Sequence, residues 1–484
     1  MQARARVHTR PVTETESSTD LEGTLAKLRA AFKKQGAPTH DQRIEQLTKL
    51  ERALIAKKDE LAEAIAADFG SRSKHESFIA EVFTTVGYIR YVKDHLREWM
   101  EPESAELSWL FAPSTAEILY QPIGVVGVIA PWNYPSQLVL VPLVSALAAG
   151  NRAMLKPSEV TPKTSAFLKT FLAALFDETQ VAVVVGDVEV SKAFASLPFD
   201  HLFFTGSTRV GKDIMRAASA NLVPVTLELG GKSPAIVGQG ANIKEAADKI
   251  ITGKLFNAGQ TCIAPDYALV PKAALEEFIE AVKAATAKHY PSLANNPDYT
   301  SIVNDPHFDR LTGYLDEAKN SEARVIELNP ANEKFEKEKR KFLPAIVVGA
   351  KEDSLVMTEE IFGPILPIVT YDTLDAAIAY VNDRPRPLSL YYFGHRRSDI
   401  DRVLNETIAG GVAINEVMLQ FVQDSLPFGG VGASGFGNYH GRDGFVALSK
   451  KKPVYYQSRF GGGALLRPPY GKTFETLFRF VVGK

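Results

Sequence analysis

From residue 125 onward the sequence alternates short runs of β-branched residues with stretches of helical periodicity, and this alternation limits the possible folds most. Strands alternating with helices are joined by right-handed crossovers, which produces a parallel sheet covered by helices. The sequence therefore predicts a doubly wound α/β layer. Its predicted strands are residues 125–129, 152–155, 181–185, 201–204 and 223–227, with helices at 136–149, 164–175 and 212–220.

A second α/β unit is predicted to begin at residues 234–237, after a join at Glu-Leu-Gly-Gly-Lys (228–232) whose paired glycines suit a tight crossover. Its predicted helices cover 243–258 and 272–288, and its later strands 345–348, 388–393 and 411–414. The helical patterns before residue 100, which include a long predicted helix over about residues 73–99, are interpreted as packing elements without chemistry of their own. Phe474, Leu477, Phe478 and Val481 predict a short amphipathic helix in the C-terminal tail.

Polar residues follow several of the predicted strands, at the point where each strand ends. In open α/β sheets ligands bind beyond the carboxyl ends of the strands, so these residues are candidates for a binding site. They are Trp132, Asn133 and Tyr134 after the first strand, Lys156, Ser158 and Glu159 after the second, Gly206 and Ser207 after the fourth, and Glu228 at the end of the fifth.

Cys262 is the only cysteine of the 484-residue chain, so it forms no internal disulfide. A free cysteine is most often a small buried hydrophobe, but an exposed and partly ionised one is a nucleophile. Gly259 can end the preceding helix, and the polar pair Gln260-Thr261 places the sulfur in a loop. Both interpretations stay open on this residue alone. A nucleophile would require a proton acceptor, an oxyanion donor and an electron sink elsewhere in the chain.

The composition indicates an ordinary globular protein, with 45% hydrophobic and 23% charged residues and a net charge of −2. This charge argues against binding a nucleic acid or a membrane through bulk electrostatics and favours a small-molecule ligand. One cysteine fits a reducing compartment and leaves no Cys/His cluster for a metal. Because no apolar run is long enough to span a bilayer and the first twenty residues lack a secretion-signal core, we expect a cytoplasmic protein.

Five motifs together resemble the NAD(P)-dependent aldehyde dehydrogenase superfamily, in the family's order and over about residues 21–456. The motifs are Pro-Trp-Asn-Tyr-Pro at 131–135, Phe-Thr-Gly-Ser at 204–207, Glu-Leu-Gly-Gly-Lys at 228–232, Gly-Gln-Thr-Cys at 259–262 and Glu-Glu-Ile-Phe-Gly-Pro at 359–364. The short N-terminal region and the Gly-rich loop at 426–435 resemble the fatty and aromatic aldehyde branch, particularly bacterial coniferyl aldehyde dehydrogenases.

This resemblance implies an α/β fold with a Rossmann-type cofactor domain (1–101 and 125–229) and an α/β catalytic domain (230–438). It further implies a β oligomerisation arm (102–124 and 439–466) and a tail (467–484). The strand-forming segments 116–120 and 453–457 suit one small sheet whose open edge needs a partner, which favours a homodimer.

The resemblance implies that Cys262 attacks the aldehyde carbon and forms a thiohemiacetal and then a thioester. Asn133 would donate to the oxyanion, although it could also cap the helix that follows, and Glu228 would act as the base. Glu360 is a second candidate base in some branches. Hydrolysis to a carboxylic acid is favoured over acyl transfer to coenzyme A because of Glu228. A non-catalytic binding protein of the same fold is the remaining alternative.

The cofactor implied is NAD or NADP, although the chain lacks the usual Gly-x-Gly-x-x-Gly fingerprint. Gly206 and Ser207 would hold the pyrophosphate at a helix N-terminus, Lys156 and Glu159 would face the adenosine ribose, and Glu360 and Phe362 the nicotinamide end. Trp132, Ser158, Gly186 and Leu229 complete the predicted cofactor set. The resemblance also implies an aldehyde tunnel, and its candidate walls are Tyr134, Leu138, Phe256 and Thr261. Packing in the hydrophobic core explains these four residues almost as well.

Overall fold

The computed structural model describes residues 18–460, 463 and 466–483. The first seventeen residues of the predicted cofactor domain therefore lie outside the described residues, as do four positions of the predicted arm and Lys484 of the tail. The described helices are α1 (Ser18–Gln35), α2 (His40–Ala56), α3 (Lys58–Phe69), α4 (Lys74–Ser77), α5 (Thr84–Met100), α6 (Gln137–Ala148), α7 (Pro162–Ala173), α8 (Val188–Ala195), α9 (Thr208–Ser219), α10 (Ile243–Leu255), α11 (Leu275–His289), α12 (Asp305–Lys319), α13 (Leu355–Thr358), α14 (Leu374–Asn382), α15 (Arg397–Glu406), α16 (Gly441–Ala447) and α17 (Lys472–Val482).

The strands form three sheets within the described part of the chain. They are β1 (Glu103–Ala105), β2 (Thr115–Pro122), β3 (Val125–Ile129), β4 (Arg152–Lys156), β5 (Val181–Val183), β6 (His201–Thr205), β7 (Val225–Glu228), β8 (Pro234–Val237), β9 (Tyr267–Pro271), β10 (Arg324–Glu327), β11 (Ala345–Val348), β12 (Ile365–Tyr371), β13 (Ser389–Phe393), β14 (Gly411–Ile414), β15 (Gly435–Phe436) and β16 (Ser449–Tyr456).

The first sheet has the strand order β15-β7-β6-β3-β4-β5 and is parallel except for the antiparallel edge strand β15. Every residue of β3, β4 and β6 is buried, as expected for parallel strands covered on both faces. Helix α6 lies in this core with all twelve residues buried, and it packs against α2, α5 and β4. The predicted alternation is confirmed, with strand ends differing by one or two residues.

The second sheet has the order β10-β11-β12-β9-β8-β13-β14 and is parallel except for the edge strand β10. The sequence predicted three of its later strands but not β9, β10 or β12. The third sheet is antiparallel, with the order β1-β2-β16, and pairs Ile118 with Pro453. It brings together the two segments predicted to share a small sheet.

The N-terminal region departs from the predicted long helix over residues 73–99. A π-helical turn, Phe78–Phe83, separates α4 from α5. Such turns are rare and frequently occur at functional sites. This turn directs Glu81 into the interior, where its side chain is fully buried, while Ile79 and Phe83 are exposed. No described helix is long and apolar enough to cross a membrane.

Candidate active site

Cys262 lies in the loop between α10 and β9, and the chain reaches it through an unusual backbone path. Helix α10 ends at Leu255, three residues earlier than predicted, and Asn257, Ala258 and Gly259 have φ values of 53°, 51° and 74°. Only glycine adopts this left-handed region without cost, so the two other residues are held there by their surroundings. A Cβ on Gly259 would collide with the Gly363 carbonyl. The loop is thus closely packed and fixes the cysteine.

Two cavities meet at Cys262. One is a tunnel of about 480 Å³ and the other a cleft of about 1180 Å³. Cys262 and Glu228 line both of them, together with Thr205 and Leu229. The sulfur is therefore accessible from two chemically different spaces, which the inert, buried interpretation of this cysteine does not explain.

The tunnel contains all four residues predicted as its walls: Tyr134, Leu138, Phe256 and Thr261. The hydroxyls of Tyr134 and Thr261 are hydrogen-bonded to each other at 2.5 Å. This bond joins the segment before α6 to the loop that carries Cys262. Sequence reasoning missed the aromatic and sulfur-containing residues contributed by the segment after β14 and by the Gly-rich loop. These are Met418, Phe421, Phe428 and Tyr439. No periodic pattern in that irregular segment could have indicated them.

Asn133 is buried four residues beyond β3 and lines the cleft next to Cys262. One N–H of its side-chain amide donates to the Gln260 carbonyl at 3.2 Å, which ties the asparagine to the cysteine loop. The helix-cap interpretation of Asn133 is wrong, because the Glu81 carboxylate accepts the N–H groups at the start of α6, those of Ser136 (3.0 Å) and Gln137 (2.7 Å). The second amide N–H of Asn133 is the group suited to an oxyanion.

Glu228 ends β7 with 2% of its surface exposed, and neither carboxylate oxygen has a hydrogen-bond partner among the described residues. Burial raises its pKa well above the ordinary value, which favours the protonated form. Gly435 pairs with Glu228 across the sheet, and a Cβ there would collide with the Leu227 carbonyl. The Gly-rich loop is therefore closely packed against the buried acid.

Burial also raises the pKa of the Cys262 thiol, to about 12, with smaller contributions from the carboxylates of Glu360 and Glu228. The backbone N–H groups of Cys262 and Ile263 partly oppose this increase. Glu360 is half-buried, and its pKa is raised to about 7 by burial and by the nearby Asp266 carboxylate. In this state the cysteine is a neutral thiol, and two carboxyl groups near it are available to exchange protons.

The cleft brings together six of the ten predicted cofactor residues: Trp132, Gly206, Ser207, Leu229, Glu360 and Phe362. The other four, Lys156, Ser158, Glu159 and Gly186, follow β4 and β5 at the same edge of the sheet but do not line this cleft. The Lys156 ammonium is buried and bonded to Glu159 at 3.1 Å and to the Pro157 carbonyl at 2.9 Å. One predicted detail changes, because the Gly206 N–H already donates to the Glu228 carbonyl and cannot hold a phosphate.

The cleft has the features that a dinucleotide requires. Helix α9 begins at its wall, with Ser207 as the N-cap, and helix N-termini bind phosphate. The rings of Trp132 and Phe362 meet edge to face, with their centroids 5.3 Å apart, and give an aromatic surface close to Cys262. A Cβ on Gly230 would overlap the Glu360 carboxylate, so glycine admits that acid to the cleft. The cationic groups along the wall are Arg209, Lys212, Lys232, Arg310, Arg384 and Arg386.

The model of the aldehyde dehydrogenase family matches residues 8–454. The chain belongs to this family. It is 48% identical over 457 residues to a Pseudomonas aeruginosa protein named "Probable coniferyl aldehyde dehydrogenase", covering 94% of this chain and 95% of that protein. The family, the fold and the oxidoreductase class predicted from the five motifs are thereby confirmed.

Solved structures of the family superpose over most of the chain. The substrate-bound state of Staphylococcus aureus AldH matches with a TM-score of 0.90 and 39% identity, covering 95% of this chain and 99% of that one. PnpE from Pseudomonas sp. WBC-3 in complex with nicotinamide adenine dinucleotide matches with a TM-score of 0.83 and 27% identity, covering 91% and 90%.

Proposed function

We propose that this aldehyde dehydrogenase oxidises an aromatic aldehyde of the coniferaldehyde type to its carboxylic acid, with NAD or NADP as the oxidant. The observation that supports this most directly is the position of Cys262, in the wall shared by an apolar tunnel and a cleft lined by polar and charged residues. An aldehyde entering through the tunnel and a cofactor held in the cleft would meet at the sulfur. Long-chain aliphatic aldehydes are the second substrate class that an apolar tunnel suits.

The catalytic roles follow from the contacts around the sulfur. The Cys262 thiol gives its proton to the carboxylate of Glu228 or Glu360, and its sulfur attacks the aldehyde carbon. The carbonyl electrons move to the oxygen, which accepts hydrogen bonds from the Asn133 side-chain N–H and the Cys262 backbone N–H. When bound in the cleft, NAD or NADP would supply the oxidant, by accepting the hydride that leaves the carbon of the resulting thiohemiacetal. A thioester remains, water attacks it, the carbon–sulfur bond breaks, and the acid leaves.

Glu228 is the proposed base for the attacking water, and its burial sets a condition on this role. Burial raises its pKa, and both oxygens are without partners among the described residues, so hydrogen-bond donors that enter the cavities would favour the carboxylate form that accepts a proton. Glu360, with a pKa of about 7, is the second candidate for proton exchange in the cleft. Water delivered to Glu228 favours hydrolysis over acyl transfer to coenzyme A.

The proposed cofactor residues divide into two groups. Trp132, Ser207, Leu229, Glu360 and Phe362 would hold the pyrophosphate and nicotinamide end along the cleft, with Gly206 allowing the close approach. Lys156, Ser158, Glu159 and Gly186 would receive the adenosine end beyond β4 and β5. The structure of the related PnpE in complex with NAD supports NAD as the cofactor of this protein. The ion pair of Lys156 with Glu159 leaves the choice between NAD and NADP to experiment, because a carboxylate repels and a lysine attracts a 2′-phosphate.

The proposed domains are a cofactor domain (1–101 and 125–229), a catalytic domain (230–438), an arm (102–124 and 439–466) and a tail (467–484). We propose a homodimer, supported by the open outer edges of β1 and β16 in the three-stranded sheet, since an unpaired edge is a template for another chain. A cytoplasmic location is proposed because the one free cysteine would be preserved in a reducing compartment.

The deciding experiment follows cofactor reduction by the purified protein with NAD or NADP and a panel of aldehydes, with and without coenzyme A. The panel runs from short aliphatic through long-chain aldehydes to benzaldehyde and coniferaldehyde. We expect selective turnover of coniferaldehyde without coenzyme A. Preference for long-chain aldehydes would move the substrate class and leave the mechanism intact. An absolute requirement for coenzyme A would replace hydrolysis by acyl transfer, and no reduction with any pair would indicate a binding protein.

A further inference from the structure

A buried ion pair lies behind the active site, between residues that the sequence indicated only as packing elements. Arg72 follows α3 and Glu81 belongs to the π-helical turn Phe78–Phe83. Both side chains are 0% exposed, and Arg72 Nη1 is 3.4 Å from Glu81 Oε1. Burying two charges costs several kcal/mol per ion in desolvation, and an apolar pair of the same volume is often at least as stable. Stability alone is thus a weak reason for this pair.

Arg72 holds the backbone of the proposed oxyanion donor. Its Nη1 donates to the Asn133 carbonyl at 2.8 Å, and its guanidinium lies 5.0 Å from the centre of the Tyr134 ring, the next residue along the chain. The Asn133 carbonyl also accepts from the Asn257 side chain at 3.2 Å, in the cysteine loop. Arg72 therefore fixes the peptide from which the Asn133 amide and the first tunnel wall both project.

Glu81 holds the other side of the same segment. Its Oε2 accepts the backbone N–H groups of Ser136 and Gln137, where a carboxylate also interacts favourably with the α6 dipole. On its opposite face, the π-helical turn contributes Ile79 and Ala80 to the tunnel. The ion pair thus clamps residues 133–137 from both sides.

The pair is also incompletely satisfied. Arg72 Nε and Nη2 and Glu81 Oε1 have no hydrogen-bond partner among the described residues. A pair serving stability would be expected to use these groups, since unpaired buried polar atoms are costly. All the side-chain hydrogen bonds of the pair are instead made to the backbone of residues 133–137, the segment that carries Asn133.

We propose that Arg72 and Glu81 are positioning residues, which hold the Asn133 backbone so that its side-chain amide stays in place for the oxyanion at Cys262. This inference rests on the oxyanion role of Asn133 in the proposed function. A misplacement of about 1 Å in a catalytic group can lower a rate about 10²-fold. Neither Arg72 nor Glu81 lines the tunnel or the cleft, so the pair acts only through Asn133 and its neighbours.

The test is a double-mutant cycle that combines Arg72→Met with Asn133→Ala. We expect Arg72→Met alone to lower kcat by about 10- to 100-fold with little change in the aldehyde KM, since an oxyanion contact is made in the transition state. In the Asn133→Ala background, the same change should lower kcat by less than about twofold, because coupled sites are non-additive. Arg72→Lys, which retains a cation and an N–H donor, should recover part of the loss.

Arg43 provides a matched control at the other end of α6. As a whole residue it is 4% exposed, the same as Arg72 when its backbone is included, and its Nη1 donates to the Ala148 carbonyl at 2.7 Å. Arg43→Met should lower the melting temperature but keep kcat within about twofold, with an additive effect in the Asn133→Ala background. A kcat loss in Arg72→Met no larger than in Arg43→Met would overturn the proposal.

A wrong positioning role for Arg72 and a wrong oxyanion role for Asn133 give different results in this cycle. If Asn133→Ala is slow and Arg72→Met lowers kcat by the same factor in both backgrounds, the positioning role is wrong while the oxyanion role stands. If Asn133→Ala retains the wild-type kcat, both roles are wrong. Should Arg72→Met not fold, Arg72→Lys and Glu81→Gln carry the same cycle, with Glu81→Gln expected to lose kcat and to be non-additive with Asn133→Ala.

Discussion

The tunnel and the cleft share Cys262 and Glu228 but are built in opposite ways. The cleft is formed mainly beyond strand ends, where the N-terminus of α9 and several cations face the space. The tunnel is formed by helix faces, the π-helical turn and irregular segments, and its walls are mostly aliphatic and aromatic. Directed charges select a ligand by position, whereas apolar walls select it by shape and area. Changes at the shared residues should therefore affect chemistry, and changes in one space should affect one ligand.

Replacing Cys262 at the junction is the strongest way to break this comparison. In Cys262→Ala, we expect aldehyde oxidation to fall by on the order of 10⁴-fold or more, because the covalent route is removed. Cofactor affinity should stay within about twofold, since binding to the cleft uses its other walls. Cofactor reduction and NAD titration by calorimetry measure the two effects. Loss of NAD binding would instead make Cys262 a structural residue of the cleft.

The difference between the two spaces also explains which parts the sequence could predict. Alternation of strands and helices predicted the parallel sheets, and the strand-end rule then placed Trp132, Ser207 and Glu228 together at one edge. This rule is local, because each residue directly follows a strand whose pattern is readable. Glu360 and Phe362 came from the motif resemblance, since they precede β12, a strand that the pattern did not indicate.

The remaining parts depend on tertiary contacts that no local pattern encodes. The left-handed turn at Asn257 and Ala258 is imposed on residues that favour a helix in sequence, so α10 ends earlier than predicted. The π-helical turn likewise interrupts a continuous helical pattern and buries Glu81. The one available signal was a set of charged residues at 72, 76 and 81 within an otherwise amphipathic segment, and surface exposure explains such residues equally well before the fold is known.

A change confined to the tunnel should sharpen the comparison. Leu138→Ala removes apolar contact with an aromatic aldehyde, worth about 1–3 kcal/mol, so its kcat/KM should fall about tenfold or more. The kcat/KM for acetaldehyde and the KM for NAD should change much less. Leu143→Ala is the matched control, because Leu143 is buried on the same helix and lines neither cavity. Equal losses in both variants would attribute the effect to core packing instead.

The smallest expected effect is a change in melting temperature, and it comes from the buried carboxyl of Glu228, which both cavities share. The pKa of Glu228 is raised in the folded state, so its contribution to stability is fully present below the unfolded-state pKa of about 4.3 and is lost as pH rises toward the folded pKa. Glutamine does not titrate. We therefore expect Glu228→Gln to melt at the wild-type temperature near pH 4.5 and on the order of 2 °C higher at pH 8, although its turnover falls.

Glu51 supplies the control of opposite sign. It is paired with Arg90 at 2.6 Å and Lys93 at 2.8 Å, and these cations hold its pKa below the ordinary value despite partial burial. Its contribution to stability is present above the unfolded-state pKa and is lost as pH falls, so Glu51→Gln should lower the melting temperature at pH 8 and less so near pH 4.5. A Glu228→Gln difference that does not grow with pH would mean that the carboxyl already has partners in solution, and that water reaches the junction of tunnel and cleft before either ligand binds.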